Sequence, residues 1–246
     1  MWIDTHCHLQ LTDGDPAEAL DRAIEVDWVV VPGIDLASSK VAIDLAAGDT
    51  RIRASAGLHP HDAARWSQEQ GGIEALMGDV SAVGEMGLDY YRNLSDPEEQ
   101  RTAFAGQLAL AHQHDLPAIV HCRDAFSDVY DHLARFDFGA KAVLHCWTGG
   151  PRWTKRFLEL GVTFSFAGPV AFENGDTVRR GAALVPPERA MVETDTPYLT
   201  PPPFRGETNE PAHVALNGAA LAEVWSIDVN EVAEATSQRA RVVFGS

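Results

Sequence analysis

Short apolar runs rich in β-branched residues alternate with longer stretches of helical periodicity along the whole chain. Eight of these runs predict strands, and they occupy residues 2–5, 28–31, 52–57, 82–87, 118–121, 141–145, 162–166 and 189–193. The C-terminal ends of successive runs are about 27 residues apart on average, which accommodates one strand, one crossover helix and two short loops. Eight such units predict a single α/β domain over residues 1–246, folded as a (β/α)8 barrel. An open doubly wound sheet is the alternative, although no glycine-rich phosphate turn follows the first predicted strand.

Capping signals mark the helices between the predicted strands. The segment SDPEE at 95–99 is typical of a helix start, with a capping residue, proline in the first turn and acidic residues next to it. The dipeptide Leu116-Pro117 ends this helix. A helix over 36–47 ends at Gly48, and the stretch 227–244 predicts a closing helix after the last strand.

Composition is that of a globular protein, but the charge is strongly acidic. The chain is 45% hydrophobic and 22% charged, and 19 basic residues against 36 acidic ones leave a net charge of −17. Such a chain repels polyanions and anionic membranes unless metal ions or local arginines reverse the field. The charge disfavours a passive nucleic-acid-binding protein, and it still permits an enzyme with a small cationic site.

The N-terminal segment and the cysteines predict a reduced, cytoplasmic protein. Asp4 lies where a signal peptide would be apolar, and the longest apolar run is far below the ~20 residues that span a membrane. Three cysteines cannot all pair, and none belongs to a CxxC motif. Cys7, Cys122 and Cys146 each follow a histidine, so strand alternation predicts that their thiols face the helix layer as small buried residues. Zinc held by cysteine is therefore not expected.

Metal-ligating side chains recur where the predicted strands end. His6 and His8 end the first strand two residues apart, which places both side chains on one face. Because all the strand ends of a barrel meet at one mouth, the histidines and carboxylates at other strand ends converge there. Six nitrogen and oxygen ligands are too many for one tetrahedral zinc and suit two divalent ions with one bridging carboxylate. These six residues are His6, His8, Glu85, His121, His145 and Asp195.

Seven segments spread over nearly the whole chain resemble one known family. They are DTHCHL at 4–9, GLHPHDA at 57–63, VGEMGLDYYR at 83–92, LPAIVHCRDA at 116–125, LHCWTGG at 144–150, ETDTPYLTP at 193–201 and RGETNEPAHV at 205–214. Together they are similar to the TatD family of metal-dependent deoxyribonucleases, within the amidohydrolase-like barrels.

The resemblance implies a ligand assignment and an activity. It implies that His6, His8 and Asp195 bind one metal ion, that His121 and His145 bind the other, and that Glu85 bridges the two. The implied activity is phosphodiester hydrolysis with a metal-bound water, often as a 3′→5′ exonuclease on single-stranded or damaged DNA ends. DNA is then a transient substrate, and no stable protein partner is expected. The ions are expected to be Mg²⁺, Mn²⁺ or Zn²⁺.

The lysines separate this family from related barrels that bridge their metals with a carbamylated lysine. Lys40 and Lys155 fall in predicted helices, and Lys141 begins its strand at the end opposite the mouth. No lysine is placed for that role, whereas Glu85 is. Chemistry of the phosphotriesterase or dihydroorotase type is correspondingly less expected.

Further residues are assigned roles in catalysis and substrate binding. Asp195 is expected to act as the general base as well as a ligand, the alternative being a ligand only. Glu193 is expected to be an interior ion-pair partner. The resemblance implies that His59 contacts phosphate or orients a ligand, the alternative being a satisfied loop histidine. The arginines expected to hold phosphate are Arg92, Arg123 and Arg205, because guanidinium groups bind phosphate in bidentate fashion. Arg123 could instead pair with Asp124 or Asp89. The aromatic residues that could stack bases, or pack against loops instead, are Tyr90, Trp147, Tyr198 and Phe204. The histidines expected to be solvated are His112, His114, His132 and His213.

Two departures from the family pattern bear on the substrate. Glu173 stands where the family usually has lysine, and the segment containing Glu207 is usually more basic. These acids favour an alternative enzyme, a metallohydrolase of a smaller ester or amide such as D-aminoacyl-tRNA. A third hypothesis is a non-catalytic metal-binding interaction protein, which the complete ligand set argues against.

Overall fold

The structure is a computed structural model and describes residues 1–245. Its strands are β1 (Trp2–Asp4), β2 (Val26–Pro32), β3 (Ile52–Ala56), β4 (Ala82–Asp89), β5 (Ala118–Arg123), β6 (Ala142–Leu144), β7 (Thr163–Phe166) and β8 (Ala190–Val192). Its α-helices are α1 (Pro16–Arg22), α2 (Leu36–Gly48), α3 (Trp66–Glu74), α4 (Pro97–Gln113), α5 (Phe126–Phe136), α6 (Pro151–Glu159), α7 (Asp176–Ala182), α8 (Val214–Trp225) and α9 (Val229–Phe244). No helix within these residues is both long and apolar enough to cross a membrane.

The eight strands form one parallel sheet in the order β1 to β8, each paired with its neighbour in sequence. The first and last strands approach each other as well. The Thr5 N–H donates to the Val192 carbonyl at 3.1 Å, and the Asp195 N–H donates to the His6 carbonyl at 2.9 Å. The sheet is therefore a nearly closed (β/α)8 barrel, and the open doubly wound sheet is wrong. The predicted fold class is confirmed.

Strand lengths differ from the predictions at the mouth of the barrel. Residues Met86–Asp89 of β4 pair with Val120–Arg123 of β5, so both strands extend two residues further than predicted. In contrast, β6 and β8 each end one residue early, which leaves His145 in the loop after β6, while Asp195 follows β8 as predicted. These loops begin at the barrel mouth, so the candidate ligands still lie at one end of the fold.

The last helix closes the other end of the barrel. Ala240, Val243 and Phe244 of α9 are buried in one apolar cluster with side chains from strands around the barrel interior. Those strand residues are Ile3, Trp28, Val30, Ala82, Ile119, Val143 and Met191. The predicted closing helix is therefore present, and it begins at Val229, where the Asp228 side chain accepts a hydrogen bond from the Asn230 N–H.

The predicted helix start near residue 96 is a capping box. The Asp96 side chain accepts a hydrogen bond from the Glu98 N–H at 2.8 Å, and the Glu99 side chain accepts one from the Asp96 N–H. Such caps satisfy backbone donors that the first helical turn leaves free, typically contributing about 1 kcal/mol. The cap fixes where α4 begins, and through it the length of the loop that joins β4 to α4.

Glycines allow β4 to approach β5 closely beside the candidate site. Gly84 and Gly87 both have left-handed backbones, with φ of +141° and +140°. A Cβ atom at Gly87 would lie 2.0 Å from the carbonyl oxygen of His121. Only glycine therefore fits this position, and the close approach fixes the backbone of Glu85 relative to that of His121.

Candidate metal centre

A first group of metal-ligand donors at the barrel mouth combines side chains that follow β1 and β8 with one from β4. The Nε2 atoms of His6 and His8 lie 3.2 Å apart and point toward the same oxygen of Glu85, Oε2, at 3.2 and 3.6 Å. Asp195 Oδ1 lies 3.9 and 3.6 Å from the same two nitrogens. We call His6, His8, Asp195 and Glu85 Oε2 the first group.

The other oxygen of Glu85 belongs to a second group. His121 Nδ1 and His145 Nε2 lie 3.3 Å apart, and they are 3.1 and 3.0 Å from Glu85 Oε1. We call these two nitrogens and Glu85 Oε1 the second group. Glu85 thus presents one carboxylate oxygen to each group.

The donor set fits divalent cations. Donors about 2.1 Å from a tetrahedral ion lie about 3.4 Å from one another, and the separations within the first group run from 3.2 to 3.9 Å. The His6 and Glu85 side chains are 0% and 3% exposed, so their polar atoms face each other rather than bulk water. Imidazole nitrogens with carboxylate oxygens suit zinc, manganese or iron. The residues at the mouth can therefore hold metal ions.

Asp89 orients the second group through His121. Its Oδ2 atom lies 3.3 Å from His121 Nε2 and 2.8 Å from His61 Nε2, and its Oδ1 accepts the N–H groups of Tyr91 and Arg92 at 3.0 and 2.8 Å. A carboxylate in this position holds the proton of His121 on Nε2, which leaves the lone pair on Nδ1 facing Glu85. Asp89 is not among the site residues predicted from the sequence. Its position four residues after Glu85 on the same strand face was the available signal.

Glu193 does the same for His145. Its Oε1 atom accepts the Cys146 N–H at 2.7 Å and lies 3.2 Å from His145 Nδ1, so His145 presents Nε2 to Glu85. Glu193 is fully buried, in the ion-pair role predicted for it. The first group has no such support, because Nδ1 of His6 and of His8 is buried without a hydrogen-bond partner among residues 1–245.

The electrostatics keep the two carboxylates ionised. Burial acts to raise the pKa of Glu85, but the neighbouring histidines, led by His145, act more strongly and hold it well below its usual range. Burial opposes the same shift at Asp195, where a hydrogen bond with His8 and the nearby imidazoles lower the pKa. Burial acts to lower the pKa of His145, and the charges of Glu85 and Glu193 outweigh it, so this pKa lies well above its usual value. A cation that binds here must displace protons from histidine.

His59 is a neutral hydrogen-bond donor beside the second group. Its Nδ1 accepts the His61 N–H at 3.2 Å, which leaves the ring proton on Nε2. That Nε2 lies 3.3 Å from Glu85 Oε1. Burial lowers the pKa of His59 to about 4, so the ring is uncharged at neutral pH. His59 therefore donates toward the site and has no lone pair left there for a cation.

The arginines expected to bind substrate differ in whether their guanidinium groups already donate hydrogen bonds within the protein. Arg92 and Arg123 are exposed, and neither guanidinium donates a hydrogen bond or forms an ion pair within residues 1–245. The Arg123 guanidinium lies 4.0 Å from the centre of the Tyr91 ring. Arg205 is partly committed, because it donates to the Thr200 carbonyl at 2.8 Å and covers the ring of Phe172.

Two aromatic candidates near the mouth are held by neighbouring side chains, which is one of the two expected outcomes, whereas Cys146 is not placed as expected. Tyr90 is half-buried, and its hydroxyl donates to Asp128 at 2.7 Å. Trp147 is 1% exposed and donates to Thr154, so neither ring is free for stacking. Cys146 was expected to face the helices, but it follows the end of β6 with φ of +43°. Strand alternation does not apply there, and burial with the charges of Asp195 and Glu193 raises the pKa of its thiol well above the usual value.

Of the other cysteines and histidines outside the centre, some lie as expected and some do not. Cys7 and Cys122 pack in apolar clusters with helix residues, as expected. His112 and His114 are exposed, whereas His132 and His213 are half-buried against the rings of Phe104 and Phe204. The imidazoles of His132 and His213 are covered because the fold brings a phenylalanine ring next to each of them. Sequence spacing does not show these contacts.

The amino-acid sequence is similar to known proteins over nearly its whole length. The family model described as "TatD related DNase" matches residues 3–245. The chain belongs to the TatD family. It is 36% identical to a protein of Bacillus subtilis (strain 168) named "Uncharacterized metal-dependent hydrolase YabD", over 99% of each chain. It is also 36% identical to the "3'-5' ssDNA/RNA exonuclease TatD" of Enterobacter lignolyticus (strain SCF1), over 95% of this chain and 93% of that one.

A solved TatD homologue has the same fold. The crystal structure of YjjV from Escherichia coli K12 superposes with a TM-score of 0.92 at 28% identity, covering 100% of this chain and 98% of the other. The TatD family resemblance stated from the sequence segments is therefore confirmed, and it extends over the full length described.

Proposed function

We propose that this TatD-family metal-dependent hydrolase is a 3′→5′ exonuclease that removes nucleotides from single-stranded or damaged DNA ends with two divalent ions. The observation that carries the proposal is the division of Glu85, whose Oε2 faces the first group and whose Oε1 faces the second. A carboxylate placed in this way suits a bridge between two cations about 3.5–4 Å apart, the arrangement used for phosphodiester hydrolysis. The name of the Enterobacter relative supports the same activity.

In this proposal the ligands are those expected from the sequence. His6, His8 and Asp195 would hold one ion, His121 and His145 the other, with Glu85 shared. When bound, two such ions supply Lewis-acid stabilisation of the phosphate and lower the pKa of water. Mg²⁺, Mn²⁺ and Zn²⁺ are the ions to compare, and the nitrogen-rich donor set suits Mn²⁺ and Zn²⁺ better than Mg²⁺.

Asp195 is the carboxylate best placed to take a proton from the attacking water. Its side chain is 15% exposed, against 3% for Glu85, so solvent reaches it at the open side of the centre. Its low pKa keeps it ionised, and Oδ1 alone faces the histidines of the first group. The second oxygen is then free to accept the proton.

Cations and one neutral donor provide the surroundings that a phosphate needs. The chain carries −17, so binding of nucleic acid depends on local positive charge. Arg92 and Arg123 supply positive charge on the side of the second group. The Nε2 proton of His59 points at Glu85 Oε1, the oxygen that His121 Nδ1 also faces. Arg205 is expected to contribute less, because it already holds a backbone carbonyl.

The test is a time course on 5′-labelled single-stranded DNA with metal-stripped protein, resupplied separately with Mg²⁺, Mn²⁺ or Zn²⁺. The proposal expects a ladder of labelled products that shortens from the 3′ end and requires added ion. Glu85→Ala should lose this activity, whereas Glu98→Ala, at a carboxylate 80% exposed on α4, should keep it. No ladder with any ion, from protein shown to hold two ions, would overturn the proposal.

A second candidate is hydrolysis of a smaller ester or amide, such as D-aminoacyl-tRNA. It is favoured by the exposed carboxylates of Glu173 and Glu207, which lie in the loops after β7 and β8 at the barrel mouth. Negative charge there opposes a long polyanion more than it opposes a small substrate. Turnover of model esters or of D-aminoacyl-tRNA in the absence of any DNA ladder would favour this candidate.

A further inference from the structure

Tyr91 presents an exposed aromatic face beside the second group. Its side chain is 62% exposed in the turn that follows β4, and the Arg123 guanidinium covers one face of its ring at 4.0 Å from the ring centre. Two other aromatic rings near the mouth are already committed: Tyr90 is hydrogen-bonded to Asp128, and the Phe204 ring stacks on His213 at 4.5 Å. Tyr198 is also exposed, at 54%, but its ring is T-shaped to His8 at 6.3 Å and no guanidinium covers it within residues 1–245. A cation on one face and solvent on the other leave the Tyr91 ring able to accept a flat partner.

The backbone around this pair is tied to the metal-ligand residues. Asp89 accepts the Tyr91 N–H at Oδ1 and holds His121 at Oδ2. Arg123 stands two residues after His121 on β5, so both side chains leave the strand on the same side. The Tyr90 N–H donates to the Arg123 carbonyl at 2.9 Å, which joins the turn to the end of β5. The backbone of Tyr91 is therefore fixed by the same carboxylate that orients His121, and the turn is joined to the strand that carries Arg123.

The stacked geometry leaves Arg123 free to bind an anion. Stacking occupies the face of a guanidinium, whereas its hydrogen-bond donors lie in the plane at its edge. Within residues 1–245 those donors form no hydrogen bond and no ion pair. Arg123 is exposed, and it follows the candidate ligand His121 by two residues on β5.

We propose that Tyr91 and Arg123 form a nucleotide subsite, in which an unpaired base stacks on the open face of Tyr91 and the adjacent phosphate binds the edge of Arg123. The inference rests on the proposed nuclease function and names the part of the substrate that this pair recognises. An aromatic face and a guanidinium edge match the two components of one nucleotide, and stacking accepts any base. In a duplex each base is already covered by its neighbours, so the subsite selects unstacked, single-stranded ends.

The test is a double-mutant cycle on binding affinity, which combines the protein variant Tyr91→Ala with an oligonucleotide that lacks one base. Metal-free protein binds 5′-fluorescein-labelled (dT)12, followed by anisotropy, and the oligonucleotide carries one abasic nucleotide at each of several positions from the 3′ end. We expect Tyr91→Ala to weaken binding about tenfold, within the range of one base stack. At one position the abasic nucleotide should cost wild type the same factor and cost the variant nothing further.

Matched variants separate stacking from structural damage. Tyr91→Phe keeps the ring and should bind like wild type, and Leu94→Ala, 64% exposed in the same loop, should also leave binding unchanged. Arg123→Met should weaken binding and reduce its salt dependence, because one phosphate contact is lost. The proposal is overturned if Tyr91→Ala binds (dT)12 as wild type does, or if the abasic loss stays the same in the variant at every position.

The outcome is distinguishable from failure of the nuclease proposal. Anisotropy needs no turnover, so a Tyr91-dependent base position without any metal-dependent ladder would uphold the subsite and reject the exonuclease. A ladder with no Tyr91-dependent position would do the reverse. Steady-state kinetics on (dT)12 with added ion provide a second readout, in which Tyr91→Ala should raise KM about tenfold and leave kcat nearly unchanged.

Discussion

Replacing Asp89 with asparagine should force the wrong tautomer on His121. The Oδ1 atom of Asp89 accepts two backbone N–H groups, from Tyr91 and Arg92, so asparagine must keep its carbonyl oxygen at that position. Its amide nitrogen then takes the place of Oδ2 and donates toward His121 Nε2. To accept, His121 must move its proton to Nδ1, the atom that faces Glu85 Oε1 at 3.1 Å. A protonated Nδ1 has no lone pair for a metal ion.

The expected loss of metal affinity follows from the hydrogen bond that His121 loses in Asp89→Asn. Removing the hydrogen-bond partner of a metal-ligating histidine typically costs about 10–100-fold in metal affinity or activity. Such a loss corresponds to about 1.4–2.7 kcal/mol. The upper end is expected here, because asparagine opposes the ligating tautomer in addition to removing the charge of Asp89. Only the ion of the second group should weaken, since Asp89 does not contact His6 or His8.

The measurement is a competition titration of metal-stripped protein against a chromophoric chelator with Mn²⁺ or Zn²⁺. Wild type is expected to give two binding events, and Asp89→Asn should weaken one of them by the stated factor. Asp128→Asn is the matched control, because its carboxylate is 38% exposed and binds Tyr90 rather than a metal-ligand residue. Thermal melting of the metal-free variants separates loss of an ion from loss of folding. Two unchanged binding events in Asp89→Asn would refute the tautomer argument.

Four further predictions address the centre and its surroundings. Glu85→Ala removes one donor from each group and should reduce hydrolysis to background, and near-normal turnover would exclude a bridging role. Because the pKa values of both second-group histidines are raised, ion binding should release protons and weaken as the pH falls; calorimetric heats that do not depend on the buffer would contradict this. Gly87→Ala should destabilise the fold by about 2 kcal/mol or more, whereas Gly14→Ala, with a similar φ and no neighbour within 4 Å, should cost less; equal losses in urea melts would show that the contact with β5 is not the cause. Glu173→Lys should steepen the salt dependence of oligonucleotide binding by about 0.7 in the log–log slope, and an unchanged slope would place residue 173 away from the bound strand.

The amino-acid pattern determined the architecture and the location of the centre. Periodic apolar runs predicted eight strands, and the structure has all eight, with ends that differ by no more than two residues. Barrel closure follows from repeated strand–helix units, and closure alone brings residues as distant in sequence as His6 and Asp195 to one mouth. The residues that meet there could therefore be named without coordinates. Resemblance to a family then supplied the ligand assignment, which remains a prediction.

Only the tertiary structure decided which imidazole nitrogen and which carboxylate oxygen face each group of donors at the mouth. Strand period says on which face a residue lies, but it does not say which nitrogen of an imidazole points inward. That choice depends on partners from other strands, Asp89 for His121 and Glu193 for His145. The same reason explains why Glu85 presents one oxygen to each group.

Loops beyond the strand ends were the least predictable part. Strand alternation ends with the strand, so the orientation of Cys146 after β6 could not be obtained from spacing. Of two adjacent tyrosines, Tyr90 is held by Asp128 and Tyr91 is exposed under Arg123, a difference set by which neighbours the folded loop provides. Local sequence thus determined the barrel and its mouth, because backbone periodicity is a local property. Long-range packing determined proton positions and the exposed aromatic face, because both depend on contacts between residues far apart in the chain.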